Sequence, residues 1–192
     1  SNWQMLISHL ALVKTNGDTV QLGDGYQWFN LFGGRTSFAY QSLPIGSYKG
    51  ITFMLGMDSL INHGDPNQWP ANHPLNGNTT GLHWGWAGGY VFQALDGQYT
   101  TDSASSVTKG FSYHTATDAF KRTYFVPLNF NIDNSTTHLN LNMDVEKYFE
   151  SPNSIKIADL PISHSEGGTA EVSLMKKLLE NSQNVYSLEL VK

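Results

Sequence analysis

Seven histidines and no cysteine in 192 residues narrow the chemistry open to this chain. Neutral imidazole is a common ligand for copper, zinc and nickel, whereas thiolate catalysis, disulfides and cysteine-based zinc or iron–sulfur sites are excluded. Spacing has to choose among the seven. No H-E-x-x-H or H-x-H signature occurs, so a metal site must be assembled from separate strands and loops. His83 lies in "GLHWGWAGGYVFQALDG", residues 81–97. If that stretch is extended, Leu82, Trp84 and Trp86 point one way and His83 the other. Trp84, Trp86 and Tyr90 then build a core wall, the ordinary fate of strand-borne aromatics, while His83 looks out from its other side.

The remaining histidines differ in setting. His114 follows Tyr113 in "FSYHTA", at the end of a short strand, and His164 sits in "PISHSEGG", both where strand ends place functional groups, although an exposed loop histidine is usually just solvated. His9 shares an apolar face of "WQMLISHLALV" with Trp3, Met5, Ile7, Ala11 and Val13. Its ring nitrogens need partners there, and a core histidine bonded to backbone is the plainer account. His63 and His73 fall in a polar loop near Asp58, Asp65 and Trp69, and His138 is on the wet face of "THLNLNMDV".

Catalytic signatures are missing. There is no G-x-S-x-G elbow, no Gly-rich phosphate loop and no dinucleotide fingerprint, and Asp58, Asp65, Asp96 and Asp118 each read as turn formers. The chain therefore reads as a binding protein and not an enzyme. A formal charge of -5 with no Lys/Arg cluster removes nucleic acid and anionic lipid as partners. No stretch approaches the roughly 20 apolar residues of a membrane span, and no basic, then apolar, leader opens the chain, which predicts a soluble protein, cytoplasmic or already processed. An alternative class is a carbohydrate-binding or surface-adhesion module, with Trp28, Trp69, Trp84, Trp86 or Tyr90 offering a face to sugar rings. Trp69, in a Pro-flanked loop, is its best exposed candidate.

The elements that must position these residues are mostly strands. With 14% charged and 40% hydrophobic residues and no abrupt change in composition, residues 1–192 read as one domain with an ample core. About nine strands are predicted, joined by Asn16-Gly17, Asp24-Gly25 and Pro44/Gly46 turns, with a loop of about twenty residues, 61–80, that shows no period. Helical spacing appears only in "TAEVSLMKKLLENS", with Thr169 as N-cap. That pattern predicts an all-β fold: an antiparallel β-sandwich with one short C-terminal helix and function at one end.

Three segments taken in order, "LPIGSYKGITFMLGMDSLIN", "GLHWGWAGGYVFQALDG" and "FSYHTA", resemble the MbnP-like family of periplasmic proteins associated with methanobactin operons and copper handling. "MLISHLALVKTNG" is similar to the family's first strand and "ISHSEGGTAEVSLMKKLLENSQNVYSL" to its closing helix and strand. The resemblance implies a sandwich exported to the bacterial periplasm or outer surface, working with a di-haem cytochrome c peroxidase-like partner. Some members bind copper through two histidines and a tryptophan that the partner has oxidised to kynurenine, the tryptophan standing two residues before a ligand histidine. Here Ile7, Gly81 and Ser112 stand two residues before His9, His83 and His114. The resemblance then implies copper held by His83 and His114 first and His9 next, with Trp84 or Trp86 as targets of oxidation.

Overall fold

The computed structural model describes residues 1–85, 88–101 and 106–191; Trp86 lies outside them. Its strands are β1 (Asn2–Lys14), β2 (Thr19–Gln21), β3 (Gln27–Asn30), β4 (Gly46–Leu55), β5 (Val91–Tyr99), β6 (Lys109–Ala116), β7 (Arg122–Ile132), β8 (His138–Met143), β9 (Ile162–His164) and β10 (Tyr186–Val191). Helices are short except the last: α1 (Ser59–Asn62), α2 (Gly77–Thr80), α3 (Val145–Glu150) and α4 (Thr169–Asn181).

Eight strands form one open sheet in the order β7-β4-β1-β5-β6-β9, with β2 and β3 also on β1, while β8 and β10 make a separate two-stranded ribbon. β1 organises the sheet because it is long and apolar. Its first residues pair with β5, and its later ones with β4. The mostly-β expectation holds, but the sheet is mixed and not purely antiparallel. β9 runs parallel to β6, with Ser112 opposite Ile162 and His114 opposite His164. Three residues are too few for a periodic signal, and hydrophobic alternation carries no strand direction. The edge is fixed instead by individual bonds: Ser112 N–H to Pro161 O at 2.8 Å, Ser165 N–H to His114 O at 3.1 Å, and Ala116 N–H to Ser165 Oγ at 2.7 Å.

His9 is not in the core. Between Ser8 and Ala11 the pairing of β1 with β4 shifts register, and His9 adopts a left-handed φ of 51°. This is a bulge, in which an extra residue is ejected from the ladder and the side-chain parity of the strand switches. His9 is thereby exposed, and Ile7 ends up lining the same cavity as Leu10 and Leu12, which strict alternation would forbid. Its imidazole meets Asp58 at 3.0 Å, with side chains 55% and 61% exposed, a surface pair of small energetic weight. His9→Gly, free of the Cβ penalty, is expected to change stability by less than about 1 kcal/mol, whereas a β-branched His9→Val costs about 1–3 kcal/mol. Urea unfolding of the two variants checks this, and equal losses in both would remove the backbone argument.

Residues 61–80 are built from capped single turns. Asp65 accepts the Asn67 N–H at 2.8 Å, and Asn76 accepts the N–H groups of Asn78 and Thr79 while donating to Trp69 O at 2.8 Å. Such Asx caps satisfy backbone donors locally and leave no hydrophobic period to read. At the C-terminal helix, Gly168 and not Thr169 is the N-cap, and Met175, Leu178 and Leu179 are the buried face.

Candidate metal centre

The 81–97 stretch does not run as one strand. Gly85 (φ 90°) and Gly89 (φ 68°) take left-handed conformations, and the chain folds back so that His83 bridges to Tyr90. Trp84 N–H donates to Gly89 O at 2.9 Å, and Val91 N–H to Leu82 O at 3.0 Å. Leu82 and Tyr90 are buried as expected of a core wall; Trp84, at the turn, is 39% exposed. The hairpin is anchored from below by Asn62, which is fully buried, accepts the Tyr90 N–H at 2.8 Å and donates to Asp118 Oδ1 at 2.9 Å.

Trp84 meets two histidines. The parallel register of β6 and β9 sets His114 and His164 side by side, with ring centroids 5.2 Å apart and planes at 40°. The Trp84 ring lies 5.9 Å from His114 and 5.8 Å from His164, edge-on to the latter. Beneath them the antiparallel register places Asp96 opposite Asn2 on one side and Ser112 on the other. Asp96 Oδ1 is 3.0 Å and Ser112 Oγ 3.2 Å from His114 Nε2, and Asn2 Nδ2 donates to Asp96 Oδ2 at 3.0 Å. A cavity of about 140 Å³ opens beside this group, lined by Asn2, Gln4, Trp84, Asp96 and His114 among others.

Serine, histidine and aspartate here do not form a nucleophilic relay. Both partners address the same ring nitrogen, whereas proton transfer from serine with an orienting carboxylate needs the two nitrogens separately. The arrangement orients an imidazole instead. Burial alone would raise the Asp96 carboxyl, but hydrogen bonds from Ser112 and Asn2 and the neighbouring His114 outweigh it and hold its pKa below the usual carboxylate value. Glu171 lies beside His164: its Oε2 accepts the His164 backbone N–H at 3.1 Å and is 3.9 Å from the ring Nδ1. His114 Nδ1 and His164 Nε2 are left without a hydrogen-bond partner among the described residues. With metal–nitrogen bonds of about 2 Å, imidazoles sharing one ion have centroids at most roughly 6 Å apart, and the 5.2 Å between this pair is within that limit.

The structure does not bring His9, His83 and His114 together. Among the described residues, no three His, Asp or Glu side chains form a group able to hold a metal ion. His9 is on its bulge with Asp58. His83 packs on the other face of the hairpin, its ring 4.6 Å from Tyr90 and its Nδ1 accepting the Gly85 N–H at 3.0 Å, with Nε2 buried and unpartnered. His63 faces Asp118 and His73 faces Asp24, and His138 is exposed on β8. Sequence reasoning names His164 and Asp96 but does not select them for the site. Each has a mark in hindsight, His164 in the β-prone "ISH" before the helix and Asp96 in alternation with Ala94, but only strand pairing joins them to His114.

Burial pushes the His83 imidazole below its ordinary pKa, against a smaller opposing pull from Asp65. The folded ring thus resists a proton that the unfolded chain accepts near pH ~6.5, so its stabilisation is complete above that pH and is lost as pH falls from there towards the depressed folded value. Asp96 acts in the same direction lower down, its contribution present above about pH 4 and lost as pH falls through its lowered folded value. Urea midpoints at about pH 7.5 and 5.5 should therefore fall less for His83→Gln than for the parent protein. An identical fall in both would show that His83 is not the sensitive group.

The class that fold and site define is a β-rich protein with two imidazoles and a tryptophan clustered beside the β6–β9 edge of its sheet. The MbnP family model matches residues 1–166, and the chain belongs to the MbnP family. Among solved structures it is similar to MbnP from Methylosinus trichosporium, at 14% identity and a TM-score of 0.53 over 100% of this chain and 87% of that one. At that identity the likeness is one of fold. No curated protein sequence matches the chain. No helix among the described residues is long and apolar enough to cross a membrane.

Proposed function

We propose that this chain is an exported, methanobactin-operon-associated copper-binding protein, non-catalytic itself, that holds its metal between His114 and His164 and acts with a di-haem cytochrome partner. The observation that carries the reading is the convergence of two imidazoles and Trp84 in one cluster. Some family members use two histidines and an oxidised tryptophan. Here no tryptophan stands two residues before a candidate histidine, yet the turn at Gly85 and Gly89 delivers Trp84 through space. Conversion of its indole to kynurenine would supply an aromatic amine and a carbonyl, donors that the indole lacks.

Asp96 is assigned a positioning role. By engaging His114 Nε2 it sets the ring and leaves Nδ1 for the metal, as carboxylate partners of metal-bound histidines do. Asp96→Asn is expected to weaken copper binding by about 10–100-fold while Asp58→Asn, beside His9, changes nothing. Of the candidates for the carbohydrate alternative, Trp69 is half-buried, stacked on His73 at 4.3 Å and packed against Tyr26.

Protein from its native host tests the proposal. One copper per chain, with oxidation mapped to Trp84 by peptide mass, is expected. Metal-free protein with an intact Trp84, or oxidation confined to Trp86, would overturn it.

A further inference from the structure

A second space in the molecule shares no lining residue with the histidine cluster. It is a cavity of about 690 Å³ between the sheet, the 36–43 segment and the β8–β10 ribbon. Its floor is Ile7, Leu10 and Leu12 of β1 and Ile51 of β4, and the ribbon covers it with Leu139 and Leu188. The space is a cleft partly open to solvent, with a lining part apolar and part polar. Small-molecule sites span about 300–1,000 Å³ with apolar walls and a few polar groups. The cavity has that composition, its rim carrying hydroxyl and amide side chains such as Thr136 and Asn140.

We propose that this cavity binds an uncharged lipophilic small molecule, an aliphatic body with a neutral hydroxyl- or amide-like head. Charge complementarity sets the class. Among the described residues no Asp, Glu, Lys or Arg lines the space, and the histidine present, His138, is exposed at the edge. A carboxylate or ammonium head inside would be desolvated without a counter-charge, which buried ions do not tolerate. The bulge at His9 has a role here. By switching parity it puts Ile7 on the same side as Leu10 and Leu12, so that the floor is continuous across the bend of β1.

Titration of the full chain with Nile red, an uncharged dye, tests the site. Saturable binding of one dye per chain is expected. Leu139→Trp, which fills the space, should weaken it by about tenfold or more, with no fall in melting temperature. Dodecanol should displace the dye, and dodecanoate, ionised at neutral pH, at least about tenfold less well. Unsaturable binding, or unchanged binding in Leu139→Trp, would overturn the proposal, and Leu188→Phe supplies the same comparison should Leu139→Trp not fold. Equal competition by the two C12 compounds would overturn the neutral head. A concentration-dependent dimer that excludes the dye would make a second copy of this chain the occupant instead.

Discussion

Alanine in place of His164 is expected to lower copper affinity by about 100-fold or more, beyond the range seen when only an outer partner of a metal ligand is lost. The ring is one of two imidazoles that can share the ion, and the neighbouring carboxylate, Glu171, is 3.9 Å from its Nδ1. The bonds that hold β9 in place are main-chain bonds or involve Ser163, Ser165, Tyr113 and Glu171, none of them through the His164 ring, so the substitution should leave the melting temperature nearly unchanged. Competition with a copper(I) chelator measures the effect, with His63→Ala as the reference for a histidine outside the cluster. Equal affinities for His164→Ala and His63→Ala would mean that the β6–β9 pair is not the binding element.

Asn62→Ala should be the most destabilising polar substitution near the site, costing about 3–5 kcal/mol. The amide is fully buried and has two obligations. One is the Tyr90 N–H, which would be left buried without an acceptor; the other is the Asp118 carboxylate, a charge-assisted acceptor. Gly89→Ala attacks the same anchor from the opposite side. Its Cβ would lie 2.6 Å from Asn62 Oδ1 and 2.7 Å from Asn62 O at a φ of +68°. Because this anchor fixes the hairpin that carries Trp84, both variants should also weaken copper binding, in urea and chelator experiments run in parallel. A stability loss below about 1 kcal/mol in Asn62→Ala would contradict the anchoring role.

How legible the molecule was depended on the range of the interactions involved. The β-rich class, the long apolar β1, the terminal helix and the family all followed from patterns within a few tens of residues. His114 and Trp84 could be singled out the same way, from their places on a strand end and beside the family-like segment. His9 could not be placed, because a bulge is a register event between two strands and leaves the alternation of "WQMLISHLALV" looking unbroken. Strand alternation puts Trp84 in a wall only if Gly85 and Gly89 are extended, and their left-handed φ makes a turn instead. His164 gained a partner through parallel pairing across 50 residues of chain, which no local period encodes. The Asn-capped turns of 61–80 were hidden for the opposite reason, since their order is wholly local and polar.

The most direct test follows all seven imidazoles at once. Copper(I) is diamagnetic, so the side-chain nitrogen and carbon-bound proton signals of each histidine can be followed by NMR during a titration to one equivalent. The account predicts that His114 and His164 shift together and saturate at one copper per chain, while His9, His63, His73, His83 and His138 stay in place. Saturating shifts at His9 or His83, with His164 unmoved, would contradict it.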